Sequence, residues 1–124
     1  MEEDMTLEQS PRSRLSSPRI RLAREALLDS SATSLLEPVR EIMCEPTRTQ
    51  IVRVLSAGPL SVGDLAATLG RSKSATSQHL RVLRDGGVVT ARRRGRAVIY
   101  SLAQTPMVSA TVQVLDRAAT IGAA

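Results

Sequence analysis

Gly70 and Ser72 stand two positions apart between helix-forming runs, which leaves room for only a tight turn at this point of the chain. Upstream, Ser61 reads as an N-cap, with Asp64 three residues later in a capping-box-like arrangement. Val62, Leu65, Ala66 and Leu69 then recur at helical spacing until Gly70 closes the segment. Downstream, Ser72 caps a second helix from Lys73 to about Asp85, whose Thr76, Leu80 and Leu83 should face the core. Two helices joined by so short a glycine-containing connection make a helix-turn-helix unit.

The same region carries the charge. Residues 71–96 hold eight Lys or Arg against one acid, Asp85, a local +7 in a chain whose total is +5. The remainder is slightly acidic, so the surplus is gathered on one helix and the hairpin behind it. Such a footprint fits the phosphate backbone of double-stranded DNA, where each neutralised phosphate releases counterions. The outward face of the second helix is Lys73, Ser74, Ser77, Gln78 and Arg81, with Ala75 beside them. Small residues at its start permit close approach to base edges. Gln78 offers a donor and an acceptor in the geometry that reads adenine. Arg81 and Arg84 suit phosphates.

Asp85-Gly86-Gly87 should end that helix. Val88–Arg92 and Ala97–Leu102 read as two strands joined through Arg93-Arg94-Gly95, a hairpin loaded with Arg92, Arg93, Arg94 and Arg96. Four arginines in five positions exceed what solubility asks of an edge hairpin, and a basic wing beside the helix is the alternative that DNA binding favours.

On the N-terminal side, residues 33–44 read as a first helix capped by Thr33 or Ser34, with Leu35, Leu36, Val39, Ile42 and Met43 as its stripe. Pro46 opens the next, over residues 46–57, and Gly58-Pro59 stops it. Thr105 and Pro106 open a last helix with Met107, Thr111, Val114, Leu115 and Ala118 at helical spacing. It is so poor in charge that it needs cover. The expectation is a homodimer held through Leu35, Leu36 and Val39 of the first helix and those five residues of the last. Such a dimer would present two reading helices to a roughly palindromic site.

Residues 1–32 read as a separate arm, and residues 33–121 as the domain. The arm begins with Glu2, Glu3, Asp4 and Glu8, continues with Arg12, Arg14, Arg19, Arg21 and Arg24, and repeats Ser-Pro-Arg at residues 10–12 and 17–19. A flexible leader with a short helix over Arg19–Asp29 is one reading; an arm that follows the DNA is the other.

Composition narrows the classes. With no Phe, no Trp and only Tyr100, the core must be aliphatic, and base stacking on single strands or RNA has no platform. No apolar run approaches a membrane span, so no membrane partner is expected. One cysteine, Cys44, allows no intrachain disulfide and suits a reducing cytoplasm. It reads either as a small buried residue or as a candidate redox-sensitive thiol. No nucleophile–base constellation or phosphate loop is present, so an enzyme is not expected, nor any cofactor. A nonspecific nucleoid-associated or RNA-binding basic protein remains the competing reading.

In combination, Glu45-Pro46-Thr47-Arg48, Leu60–Leu65, Ser72–Leu83 and residues 85–100 resemble the ArsR/SmtB family of bacterial winged-helix repressors. The resemblance spans roughly residues 35–119. It implies a mainly α (α+β) fold: a winged helix-turn-helix with a two-stranded β wing, dimerising through first and last helices. It implies a homodimer on an inverted-repeat operator, released by an inducer whose nature the residues do not name. By position it places DNA contacts on Ser74, Ala75, Ser77, Gln78 and His79, with Arg93, Arg94 and Arg96 in the wing. Many members bind metal through a Cys-Val-Cys-Asp-Leu segment. Here those cysteine positions are Ser61 and Gly63, and the last helix has Asp116 alone and no histidine. Hydroxyl and glycine do not replace thiolates, so no metal site is expected.

Overall fold

The computed structural model describes residues 17–123. Glu2, Glu3, Asp4, Glu8, Arg12, Arg14 and the first Ser-Pro-Arg repeat lie outside the described residues. The chain divides into two units at Thr33/Ser34. In the first, α1 (Pro18–Glu25) starts on a proline and buries none of its residues; Leu22, Leu27 and Leu28 are all exposed.

Helix α2 (Ser30–Leu35) crosses the division, and α3 (Glu37–Met43) follows after a single residue. The one helix expected over residues 33–44 is therefore two, and its start moves upstream. Asp29 is the cap: its Oδ1 accepts the Ala32 N–H at 2.7 Å, and its carbonyl accepts the Thr33 hydroxyl. The break has a cause in Pro38, which cannot donate to the carbonyl four residues back and whose ring crowds it. The helix restarts with that proline in its first turn.

α4 (Pro46–Leu55) is capped by the Glu45 side chain and buries Thr47, Ile51, Val52 and Leu55. A two-residue strand, β1 (Leu60–Ser61), leads into α5 (Val62–Leu69), where Ser61 Oγ accepts the Asp64 N–H at 3.2 Å. α5 ends in a Schellman motif: Arg71 N–H bonds to Ala66 and Gly70 N–H to Ala67, with Gly70 at φ 66°. Ser72 then caps α6 (Lys73–Asp85) through the Ala75 N–H. A second Schellman motif closes α6. Val88 N–H reaches Leu83 at 2.8 Å, Gly87 N–H reaches Arg84, and Gly87 takes φ 76°. Both Leu83 and Val88 are fully buried, so the cap also contributes to the core.

Strands β2 (Val89–Arg94) and β3 (Ala97–Leu102) are antiparallel, with Arg94 opposite Ala97. The hairpin loop is thus Gly95-Arg96, two residues rather than the Arg93-Arg94-Gly95 connection expected, and Gly95 supplies the left-handed φ of 63°. β1 pairs with the far edge of β3, giving the order β1-β3-β2. The sheet therefore has three strands. β1 has no signature in the sequence because two residues show no period.

The last helix, α7 (Pro106–Ala123), packs on α3 and α4. One aliphatic core joins Ile42, Ile51, Val52, Leu55, Leu65, Leu80, Leu83, Val88, Val89, Val108 and Leu115. Its α7 members, with Thr111, are buried within their own chain. Thr111 and Leu115, expected at a subunit interface, are thereby withdrawn from it: their stripe faces α3 and α4. The neighbouring stripe of α7, Val114 and Ile121, stays exposed, as do Leu35, Leu36 and Met43. Met107 and Val39 are half-buried and Ala118 is exposed. No helix among the described residues is long and apolar enough to cross a membrane.

Candidate nucleic-acid interface

The outer face of α6 follows from its period. At about 100° per residue, Ser74, Ser77, Gln78 and Arg81 fall within one narrow stripe. All four are exposed, while Thr76, Leu80 and Leu83 on the opposite side are fully buried. Ala75 is half-buried at the edge of the stripe and Arg84 is exposed near its end. Thr76 is polar but satisfied, its hydroxyl donating to the Ser72 carbonyl at 2.8 Å. Inward packing and the Ser72 cap thus hold the helix while its outer face keeps free donors and acceptors.

His79, placed by the family pattern among the DNA contacts, stands apart from this stripe. It lies about 140° around the helix from Ser74. Its imidazole Nδ1 is 3.4 Å from Glu45 Oε2, and its side chain is only 23% exposed. The same carboxylate oxygen accepts the Arg48 N–H at 3.2 Å and so caps α4. Burial disfavours the charged carboxyl, yet the N–H groups of Thr47 and Arg48, aided by His79 and the Arg48 guanidinium, hold Glu45 below its ordinary range. Arg48 is tied in turn to α3, its Nη1 donating to the Glu41 carbonyl and to Glu41 Oε2, each at 3.1 Å. Pro46 signals the helix start, but glutamate is not among the residues favoured at an N-cap, so the capping role of Glu45 has no local signature in the sequence.

Lys73 also bends from the stripe. Its Cε lies 3.4 Å from where a Cβ on Gly63 would stand, with Nζ at 3.7 Å and Ser61 Oγ at 3.9 Å. An ammonium, a hydroxyl and a glycine therefore meet where thiolates would be needed, and this donor set does not fit a soft or borderline metal. Among the described residues no three His, Cys, Asp or Glu side chains converge on a common point. Asp116, the last helix's carboxylate, is engaged by Arg53. Cys44, which could have been a small buried residue, is exposed at the C-cap of α3.

In the hairpin, strand alternation divides the arginines. Val89, Ala91 and Arg93 share one face with their cross-strand partners Leu102, Tyr100 and Val98, and the Val89 end of that face turns toward the core. Arg92 and Arg94 project from the other face, and all three strand arginines, Arg93 included, line a shallow concavity with Pro59, Ile99 and Ser101. Arg96 occupies the tip. All four are exposed, and among the described residues none has an acidic partner. The element α6 plus hairpin is thus a surface of unneutralised guanidiniums beside a helix face of hydroxyls and one amide.

Comparison with known proteins agrees with this geometry. Residues 45–91 match the family model described as "Bacterial regulatory protein, arsR family". The HTH-type transcriptional regulator NmtR of Mycobacterium tuberculosis is 41% identical over 93 residues, covering 75% of this chain and 74% of that protein. The structure of HlyU from Vibrio cholerae superposes with a TM-score of 0.66 at 32% identity, over 73% of this chain and 96% of that one. A domain of Mb0332 from Mycobacterium bovis, described as a homodimeric winged helix-turn-helix DNA-binding domain, gives 0.61 at 27% identity over 75% and 89%. The chain belongs to the ArsR family of winged helix-turn-helix transcriptional regulators, DNA-binding proteins and not enzymes.

Proposed function

We propose that this protein is a cytoplasmic, homodimeric repressor that reads an inverted-repeat operator in double-stranded DNA and does not respond to metals. The observation that carries the reading is the exposed stripe Ser74, Ser77, Gln78 and Arg81 next to the unneutralised arginines of the hairpin. In this reading Gln78, with Ser74, Ala75 and Ser77 around it, contacts base edges, while Lys73, Arg81, Arg92, Arg93, Arg94 and Arg96 hold phosphates. His79 takes no direct part.

The dimer is supported by the apolar surface left uncovered. Leu35 is 60% exposed, Val114 55% and Ile121 70%, with Leu36 and Met43 also in contact with solvent. A second copy is the natural cover, because a twofold contact through α7 buries the same residues on both sides. Mb0332 is described as homodimeric, and the shared architecture extends that expectation to this chain. Repression follows where the operator overlaps a promoter. Metal independence is supported by the Lys73–Gly63–Ser61 arrangement described above.

The test is fluorescence anisotropy on the DNA upstream of the protein's own coding sequence and on a scrambled duplex, across a salt series with and without chelator. A specificity ratio of about 10³ or more, unchanged by chelator or added divalent metals, is expected. Equal affinity for both duplexes would instead identify a nonspecific basic protein. In vitro transcription from that promoter then distinguishes repression from activation.

A further inference from the structure

We infer that the concavity between the first turns of α4 and the turn joining α5 to α6 is a second phosphate site, where Arg71, Gln50 and Thr47 hold the DNA backbone. The inference rests on the DNA-binding reading above. It adds a contact at the end of α6 away from the point where the hairpin begins.

Pro46, Thr47, Gln50 and Val54 line the concavity from one stripe of α4, and Leu69 and Arg71 line it from the other side. No acid borders it. Glu45, next to Pro46 in the chain, is turned to the Arg48 N–H and to His79 instead. Arg71 is exposed and has no acidic partner among the described residues. It is also the one cation of the basic run over residues 71–96 that neither α6 nor the hairpin carries. Its backbone is fixed, because its N–H closes the Schellman motif on the Ala66 carbonyl at 3.0 Å. Gln50 is exposed on α4 and presents an amide donor beside it.

Thr47 is the residue that points to a ligand. It is 5% exposed, yet among the described residues its hydroxyl has no hydrogen-bond partner. Other helical threonines, Thr49, Thr68, Thr76 and Thr111, each donate to a carbonyl. A hydroxyl so deep in the protein is ordinarily paired. Among the described residues the one side-chain polar atom both enclosed and unpaired is Arg48 Nε, so the Thr47 oxygen still meets solvent, and the surface it lines is this concavity. A hydroxyl donor in want of an acceptor, beside an unneutralised guanidinium, is complementary to an oxyanion.

The placement selects DNA as the source of that oxyanion. A helix with its side chains is about 10–12 Å across and the major groove about 12 Å wide, so elements flanking α6 meet the phosphates that border the groove. The start of α4 stands at such a flank: Glu45 touches His79, and Ala75, one turn earlier on the same side of α6, is half-buried. Arg71 lies two residues before the first residue of α6.

The test measures affinity for the upstream and scrambled duplexes across a salt series for wild type, R71A and T47V, with circular dichroism confirming each fold. T47V keeps the shape of the side chain and removes the hydroxyl. R71A should lower the slope of log K against log salt by about 0.9 for each protomer bound, and weaken both duplexes alike, because phosphates carry no sequence. T47V should weaken both by about fivefold at an unchanged slope, the scale of one lost hydrogen bond. Ethylation of one phosphate in each half-site should impair wild type and leave R71A indifferent. A wild-type slope for R71A would overturn the site. So would a lowered slope with every phosphate as sensitive to ethylation as in wild type, since Arg71 would then act as diffuse charge. T47V binding as tightly as wild type would reduce the site to a lone surface arginine and overturn it too. Millimolar inorganic phosphate at constant ionic strength should leave wild-type affinity unchanged; a loss that R71A does not share would make the concavity a site for a free anion. If wild type shows no preference for the upstream duplex, the sequence-specific reading fails, and the slopes on any duplex still judge the phosphate site.

Discussion

Lys73 lies across Gly63, its Cε 3.4 Å from the place a Cβ on the glycine would occupy. This contact joins the first turn of α6 to the first turn of α5, beside the tight turn that links the two helices. The neighbour is the far end of a flexible side chain at ordinary van der Waals distance, so a methyl group fits. Gly63 sits inside a helix, where glycine costs about 0.5–1 kcal/mol relative to alanine. G63A is therefore expected to raise the urea unfolding free energy by about that amount. A loss of similar size would mean that the lysine stem is wedged and not merely laid over the glycine.

The turn between α5 and α6 was legible because its signals are local: Gly70, Ser72 and the apolar spacings each act within a few residues. Less legible were features decided by partners far along the chain. The two-residue β1 exists because β3 offers an edge. Pro38 can be tolerated in the first turn of one helix over residues 33–44, but it stands in the first turn of a second, and the chain breaks at Leu36. His79 illustrates the same point at the interface. Its position in the motif allows a phosphate contact or a helix-packing one, and Glu45, 34 positions upstream, supplies a packing partner that no local signal reveals.

The distinction between the two stripes of α7 gives a discriminating pair of substitutions. Leu115 is 6% exposed and belongs to the core, so L115E should unfold the protomer by burying an unpaired charge. Val114 is 55% exposed on the adjacent stripe, so V114E should leave the circular dichroism spectrum and thermal transition of the monomer intact. In sedimentation, V114E is expected at monomer mass. A folded dimer would place the interface elsewhere.

Gln78 stands exposed at the centre of the α6 stripe with both hydrogen-bonding groups free to meet a base. Q78A should lower discrimination between cognate and single-base-mismatched duplexes by about 1–3 kcal/mol at one base pair of each half-site. Affinity for scrambled DNA should change little. Uniform weakening on every duplex would assign Gln78 to the backbone instead.

Glu45 links stability to acidity, and the sign is set by its lowered pKa. A carboxyl held below its ordinary value of 4.5 in the folded state favours folding above that pH. The contribution disappears as pH falls through the depressed value and both states become protonated. E45Q removes the charge but retains a capping oxygen. Urea midpoints of wild type and E45Q should therefore differ at pH 6 and converge as the pH drops below 4.5. Parallel curves down to pH 3 would show that the cap works without its charge.

The wing makes the last prediction, because its arginines are sorted by strand alternation and not by sequence distance. By register Arg92 and Arg94 lie on the outer face with Ile99, Arg93 projects from the other, and all three border the concavity beside Pro59. A ribbon carrying cations on both faces can meet phosphates on either side of a groove. Each phosphate neutralised on duplex DNA contributes about 0.9 to the slope of log K against log salt. R93A should then reduce the slope by about 0.9, and the double variant R92A/R94A by about twice that, if each arginine engages one phosphate. Because these residues carry no ion pair within the described chain, removing them should leave thermal stability nearly untouched. The two losses are separable: a reduced slope for R92A/R94A with R93A unaffected would place the DNA on the outer sheet face alone. The reverse would place it on the face that Arg93 shares with Val98. An unchanged slope in both variants would take Arg92, Arg93 and Arg94 off the DNA and leave α6 and the tip residue Arg96 as its contacts.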